Sequence, residues 1–177
     1  EIEGIHNRGD WDLSNHSKHS GEDLSYTDDK TGEKYFPYVI ETSVGVERSL
    51  FAFLCSAYEE VKGGRAKKGD KETVLRIDKS LAPVKAAVLP LVKNKPEVVK
   101  KAKEVYKMIK PHFTSQYDEG GSIGRRYRRQ DEIGTLFCIT VDFDTLEDNS
   151  VTVRNRDTMK QERISISSLL NFLKDKL

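Results

Sequence analysis

The run Pro83-Val84-Lys85-Ala86-Ala87-Val88-Leu89-Pro90-Leu91-Val92 constrains the fold most. It is nearly all apolar and does not alternate, as expected of a strand covered on both faces. Layers are therefore needed above and below it, and the following sequence supplies them. Pro96-Glu97 opens a helix, because proline is tolerated in a first turn. Val98, Ala102, Val105 and Ile109 form its apolar stripe, flanked by Val99, Tyr106 and Phe113, with lysines opposite. Thr114 to Tyr117 reads as a short strand, and the Gly120-Gly121 turn precedes a basic helix from Ser122 to Ile133. Leu136 to Val141 is a strand, turned by Glu147-Asp148-Asn149-Ser150 into Val151 to Arg154. Gln161 to Ile166 gives another strand, and Leu169, Leu170, Phe172 and Leu173 form the apolar face of a last helix. Strands separated by helices imply parallel pairing, while the hairpin adds antiparallel pairs. The expected fold is α/β, a mixed five-stranded sheet with packed helices.

A second segment changes period. Tyr35 to Ile40 is aromatic and β-branched, which suits a strand starting near Pro37. After Gly45, apolar residues from Val46 to Val61 fall at helical spacing, with Ser43 as the expected N-cap. The glycine turn lets a ligand approach the backbone, and the helix N-terminus favours anions. Arg48 sits where its charge opposes the helix dipole, so it is either a solvated cation or the partner of a phosphate. Glu41 and Ser43 share one face of the strand, where a carboxylate and a hydroxyl can hold an ammonium group.

The chain has 177 residues, 36% hydrophobic and 33% charged, with net charge +1. No apolar run approaches the roughly 18 residues of a membrane span, and no signal-peptide pattern opens it. Cys55 and Cys138, without neighbouring cysteines, read as buried free thiols of a reducing compartment, here the cytoplasm. His6, His16 and His19 have no closed metal-ligand spacing, and no metal site is assigned. Charge is uneven: residues 1 to 33 hold nine acids against three bases, and Lys93 to Lys110 holds seven lysines against two glutamates. Lys62 to Glu72, rich in glycine and charge, reads as a linker. The expected division is 1–62, a linker at 63–80, and a second domain at 81–177. The abrupt start suggests a first domain entered part-way.

Residues 125 to 129 add four arginines around Tyr127. Arg125 and Arg129 share a helix face, and Arg128 neighbours Arg125. These can grip RNA phosphates while Tyr127 stacks a base, or lie in solvent over a buried tyrosine. Asp131 and Glu132 are either ion-pair partners of the arginines or acceptors for cytosine amino groups. Asp157, within Arg154-Asn155-Arg156-Asp157, is either a turn residue or a third such acceptor.

Glu41-Thr42-Ser43-Val44-Gly45-Val46-Glu47-Arg48 resembles motif 3 of the class II aminoacyl-tRNA synthetases. With Glu3-Gly4-Ile5-His6-Asn7-Arg8-Gly9-Asp10 it is similar to the dimeric glycyl-tRNA synthetase family. Gly121 to Gly134 and Val151 to Met159 resemble that family's anticodon-binding domain, although Leu136 replaces its usual proline. The resemblance implies that the second domain has the class IIa anticodon-binding fold and the first is the end of an antiparallel catalytic domain. It implies Arg48, with Gly45, at ATP phosphates, and Glu41, Ser43, Glu3 and Arg8 at the glycine pocket. It implies Arg125, Arg128, Arg129, Asp131, Glu132, Arg154 and Asp157 at the anticodon. ATP with Mg²⁺, glycine, tRNA(Gly) and a homodimer are the implied cofactors and partners. The family's motifs 1 and 2 have no counterpart in these residues, so this chain alone is expected to be inactive. The competing class is a non-catalytic RNA-binding or accessory protein on the same fold. A flavodoxin-like nucleotide binder would need a glycine-rich phosphate loop, and Leu89 to Pro96 offers none.

Overall fold

The computed structural model describes residues 1–62 and 71–177, in two units, Glu1–Ala52 and Phe53–Leu177. In the first, β1 (Glu3–Gly9) leads into α1 (Trp11–Ser20), then a small hairpin of β2 (Tyr26–Thr27) and β3 (Lys34–Tyr35). β4 (Val39–Val44) returns antiparallel to β1, and α2 (Val46–Ala57) follows, its residues from Phe53 onward belonging to the second unit. Gly45 separates strand from helix. Its carbonyl accepts the Ser49 N–H at 2.9 Å, so the first helical turn closes on Gly45. Ser43, expected as the N-cap, lies inside β4 opposite Gly4 instead. No residue from 1 to 52 is buried, and Ile5, Trp11, Ile40 and Phe51 are all more than 60% exposed.

α2 ends at Ala57, earlier than the helical spacing of Tyr58 and Val61 suggests. Both residues lie in β5 (Tyr58–Lys62), which pairs antiparallel with β6 (Lys71–Leu75). The residues expected to be linker are therefore partly strand. Gly63 to Asp70 lie outside the described residues.

The second unit continues with β7 (Ala86–Pro90), α3 (Pro96–Ile109), β8 (Ser115–Tyr117) and α4 (Ile123–Glu132). β9 (Phe137–Val141), α5 (Asp144–Asp148), β10 (Ser150–Asn155), β11 (Gln161–Ser165) and α6 (Ile166–Lys176) complete it. The sheet order is β11-β10-β9-β7-β8, with β7 parallel to β8 and β9, and antiparallel pairs from β9 to β11. This is the mixed five-stranded sheet read from sequence. Its turn after β9 contains the short helix α5, stopped by Asn149 in the left-handed region at φ 52°.

All five residues of β7 are buried. Ala86 and Val88 join Ile139, Val141, Val151 and Val153 against the apolar stripe of α3 and Leu169 and Leu173 of α6. Ala87, Leu89 and Cys138 face the other way, toward Tyr127 of α4. Leu136 is buried in the larger layer, so leucine is accommodated there. Gly134 has φ +79°, and a Cβ on it would lie 2.8 Å from Ile77 Cγ2, so both geometry and space demand glycine. Cys138 is buried as expected, but Cys55 is exposed.

This contrast in burial predicts the pattern of amide hydrogen exchange in the 177-residue chain. β7, β9 and β10 should exchange at the slow limit set by global unfolding, and β1 and β4 far faster. Equal protection of the two sets would show that the first unit has acquired a core.

Candidate functional site

In the first unit, the β1–β4 register sets His6 opposite Glu41 and Gly4 opposite Ser43, so Glu41 and Ser43 share a face. Arg8 lies at the register shift between Asn7 and Gly9. Its Nε donates to Asp12 Oδ2 at 2.6 Å, its Nη2 donates to Oδ1 at 3.2 Å, and its Nη1 lies 3.2 Å from Glu41 Oε2. The hydrogen bond from Arg8 holds the Asp12 carboxyl below its ordinary range, and Asp12 in turn raises the arginine. One cation between two carboxylates leaves a net negative cluster suited to an ammonium group. Sequence reasoning missed Asp12, although it stands four residues after Arg8. Glu3 is opposite Val44, on the other face, and does not join the cluster.

Arg48 lies in the first turn of α2, its side chain folded along Gly45. A Cβ on that glycine would be 3.6 Å from Arg48 Cβ. Its Nη1 donates to the Glu1 carbonyl at 3.0 Å. The guanidinium therefore stands near a helix N-terminus and a glycine, a place where an anion meets backbone and cation together.

α4 is capped by Ser122, whose Oγ accepts the Arg125 N–H at 3.4 Å. Its buried face carries Arg126, Tyr127, Gln130 and Asp131, while Arg125, Arg128, Arg129 and Glu132 are exposed. Arg154 of β10 donates from Nη1 and Nη2 to the two Asp131 oxygens at 2.7 and 2.9 Å, and its guanidinium lies 5.2 Å from the Tyr127 ring centre. Arg154 and Asp131 are 1% and 3% exposed. Burial disfavours the Arg154 charge, but Asp131 outweighs it and holds the guanidinium above its usual range. Of the two readings left open for Asp131, the structure holds the ion pair, and Arg154, expected at the anticodon, is its buried partner instead. Tyr127 is likewise buried, its hydroxyl 2.5 Å from Thr140 Oγ1.

Arg126, 1% exposed and missed in the sequence, donates to the carbonyls of Pro90, Leu91 and Asp118 at the ends of β7 and β8. Nothing in a run of four arginines marks which one turns inward, although its i, i+4 relation to Gln130 does place both on one face.

Among the exposed groups, Arg129 donates to Asp118 Oδ2 and to the Gly120 carbonyl at 2.7 Å, and Arg128 to Glu72 Oε1 at 3.3 Å. Asp157 receives both Arg156 Nε and Nη2, at 2.8 and 3.0 Å, and Arg76 Nη1 at 3.3 Å. Burial raises the Asp157 pKa, yet Arg156 and Arg76 outweigh it and hold the carboxyl below its ordinary value. Arg125 and Glu132 alone among the seven anticodon candidates have no side-chain partner among the described residues. Glu132, Ile133, Arg129, Tyr117 and Gln116 border a shallow cleft beside β8 that combines an acid, a cation and apolar surface.

Residues 85–176, just over half of the chain, match the anticodon binding domain family. The chain belongs to that family. Over nearly its whole length it is also similar to proteins named glycine–tRNA ligase. It is 56% identical over 174 residues to that of Nocardia farcinica, covering 98% of this chain and 37% of the relative. It is 58% identical over 175 residues to that of Bifidobacterium longum, covering 98% and 36%. It is 55% identical over 179 residues to that of Clostridium beijerinckii, covering 100% and 37%. The chain thus spans little more than a third of the relatives it matches. No helix among the described residues is long and apolar enough to cross a membrane.

Two outcomes follow from the ion pairs. Asp131→Asn leaves the Arg154 charge buried without its partner and should lower stability by about 3–5 kcal/mol in urea unfolding. A loss under about 1 kcal/mol would mean that water reaches Arg154. The folded pKa of Asp157 is depressed, so its contribution is complete above the unfolded value of about 3.9 and is lost as pH falls through the lower folded value. The stability gap between the parent and Asp157→Asn should be flat above about pH 4 and shrink below it. A gap that widened in acid would reverse the assignment.

Proposed function

We propose that the chain is a segment of a glycine–tRNA ligase whose second unit grips the anticodon arm of tRNA(Gly). The observation that carries this reading is the state of α4. Its buried groups are locked to the sheet, while Arg125 and Glu132 stand free, with Glu132 bordering a cleft large enough for a base edge. The family match over this unit and the names of the relatives support it. Glu132 accepts hydrogen bonds from cytosine amino groups, and Arg125 attracts phosphate. Arg128, Arg129 and Asp157 exchange their present partners for RNA or orient their neighbours.

The first unit contributes to amino-acid and nucleotide binding in the whole protein. Glu41, Ser43, Arg8 and Asp12 form the negative cluster for the glycine ammonium, with Glu3 outside it. Gly45 and Arg48 are open to ATP phosphates. When bound, ATP supplies the activated phosphate that the glycine carboxylate attacks, with pyrophosphate leaving. Arg48 offsets charge on the phosphates, and the helix N-terminus adds its partial charge. Among the described residues, no group of three or more His, Cys, Asp or Glu side chains suits a metal. Mg²⁺ would come with the nucleotide, where it would offset phosphate charge. The homodimer belongs to the same reading. The exposed Ile5, Ile40 and Phe51 give apolar surface for further chain or a second subunit to cover. A free exposed Cys55 thiol suits a reducing compartment such as the cytoplasm.

Labelled anticodon stem-loops, with the anticodon cytosines present or substituted, test the reading by titration at several salt concentrations. The parent chain should prefer the cytosine loops. Arg125→Ala should weaken all loops alike and reduce the salt slope by about 1, whereas Glu132→Gln should erode the cytosine preference by about 1–3 kcal/mol. Binding without any preference among loops would replace this function with that of a non-specific RNA-binding accessory protein.

A further inference from the structure

The anticodon reading leaves one strongly charged surface unexplained. α3 carries Lys100, Lys103 and Lys107, and Lys110 stands at its C-cap. At about 100° per residue these four fall within an arc of about 80°. Glu97 and Glu104 lie outside that arc, on the side where Lys101 Nζ donates to Asn149 Oδ1 at 2.8 Å. The helix thus has a segregated cationic stripe. None of the four lysines has a carboxylate of a described residue within ion-pair distance. All four are exposed. The helix dipole favours cations near the C-terminus, which accounts for Lys107 and Lys110 but not for Lys100 and Lys103.

The stripe has a defined place. Lys103 Nζ lies 5.7 Å from the Tyr117 ring centre and Lys110 Nζ 5.7 Å from that of Tyr106. The two rings are themselves neighbours, 5.9 Å apart. Tyr117 belongs to β8, the strand that ends the sheet order, so among the described residues one edge of β8 has no neighbouring strand. Gln116, the adjacent residue of that strand, accepts from Gln130 of α4 at 3.2 Å. The edge strand therefore has lysines of α3 on one side and the exposed arginines of α4 on the other. Over about ten residues the lysines span about 15 Å, a row rather than a point.

We propose that the α3 stripe is a second RNA-binding surface, holding the sugar-phosphate backbone of the stem below the loop that α4 reads. The inference rests on the anticodon reading and extends it. A row of ammonium groups without a carboxylate partner among the described residues, beside the last strand of the sheet, fits a polyanion with charges in sequence. Lysine, a compact charge on a flexible stem, suits phosphates without selecting among bases. The stripe therefore supplies affinity, and α4 supplies selection.

The test uses the 177-residue chain and Lys100→Gln/Lys107→Gln, which spares the two lysines over the tyrosines. Three probes are titrated from low to physiological salt: the full stem-loop, a cytosine-substituted stem-loop, and the single-stranded loop alone. Because both lysines are exposed, the melting temperature should not change. The expected result is a salt slope shallower by about 2 for both stem-loops, about one for each phosphate no longer neutralised. The cytosine preference and the affinity for the isolated loop should be unchanged. An unaltered stem-loop slope overturns the stripe while leaving the anticodon reading standing. If the parent itself shows no cytosine preference, the anticodon reading fails instead, and the slope still reports whether the stripe binds RNA. An equal drop in affinity for the isolated loop would also overturn the proposal, because the lysines would then act at the loop.

Discussion

α4 is held to the sheet by directional bonds more than by apolar burial, and the site depends on that. Among the described residues, Ala87, Leu89, Tyr127 and Cys138, with Ile123 beside them, make up the apolar layer between α4 and the strands. The opposite layer is far larger, with four residues of α3 and two of α6 fully buried. Hydrophobic burial has no preferred direction, so a layer this small cannot fix a helix's rotation. Arg126 on three carbonyls, Arg154 on both oxygens of Asp131, and Tyr127 on Thr140 can. Such groups lose hydration, and the buried Nε atoms of Arg126 and Arg154 have no hydrogen-bond partner among the described residues. What is gained is orientation. A helix clamped on one face presents Arg125 and Glu132 in a set direction on the other.

The sheet was legible because its signal is apolar. β7, β9 and the stripe of α3 declare themselves by periodicity, and burial follows. The clamp was not legible because it is built from charged residues, which are exposed by default. Arg126 differs from Arg125 only in facing inward, and Asp131 from Glu132 likewise. The sequence left open whether the acids pair with arginines or meet bases. The structure divides them, with Asp131 paired in the core and Glu132 at the surface.

The other misreading has a different origin. Tyr58 and Val61 continue the helical spacing of α2, yet they belong to β5, opposite Leu75 and Glu72. A strand has a period of two and a helix of 3.6, and four residues fit either. β6 was hidden by the charge around it, although Val74 is 1% exposed. In the first unit, Glu41 and Ser43 were read correctly as sharing a face because alternation along a strand is a rule of the backbone. Glu3 needed the register with β4, which no single strand encodes.

These distinctions change how positive charge should be counted. The four arginines of α4 invite the reading of a broad RNA-gripping patch. Yet Arg126 is enclosed, Arg129 is tied to Asp118 and Gly120, and Arg128 is tied to Glu72. A cation already paired with a carboxylate brings little net field to a phosphate, since the acid's charge arrives with it. Among the described residues only Arg125 is unpaired there, and one such group cannot hold a polyanion against physiological salt. On α3 the order is reversed: the lysines look like ordinary solvated surface, yet the stripe's four ammonium groups are aligned and meet no carboxylate among the described residues. On the proposed reading the α3 stripe adds attraction, and α4, with most of its charge internally committed, is free to discriminate.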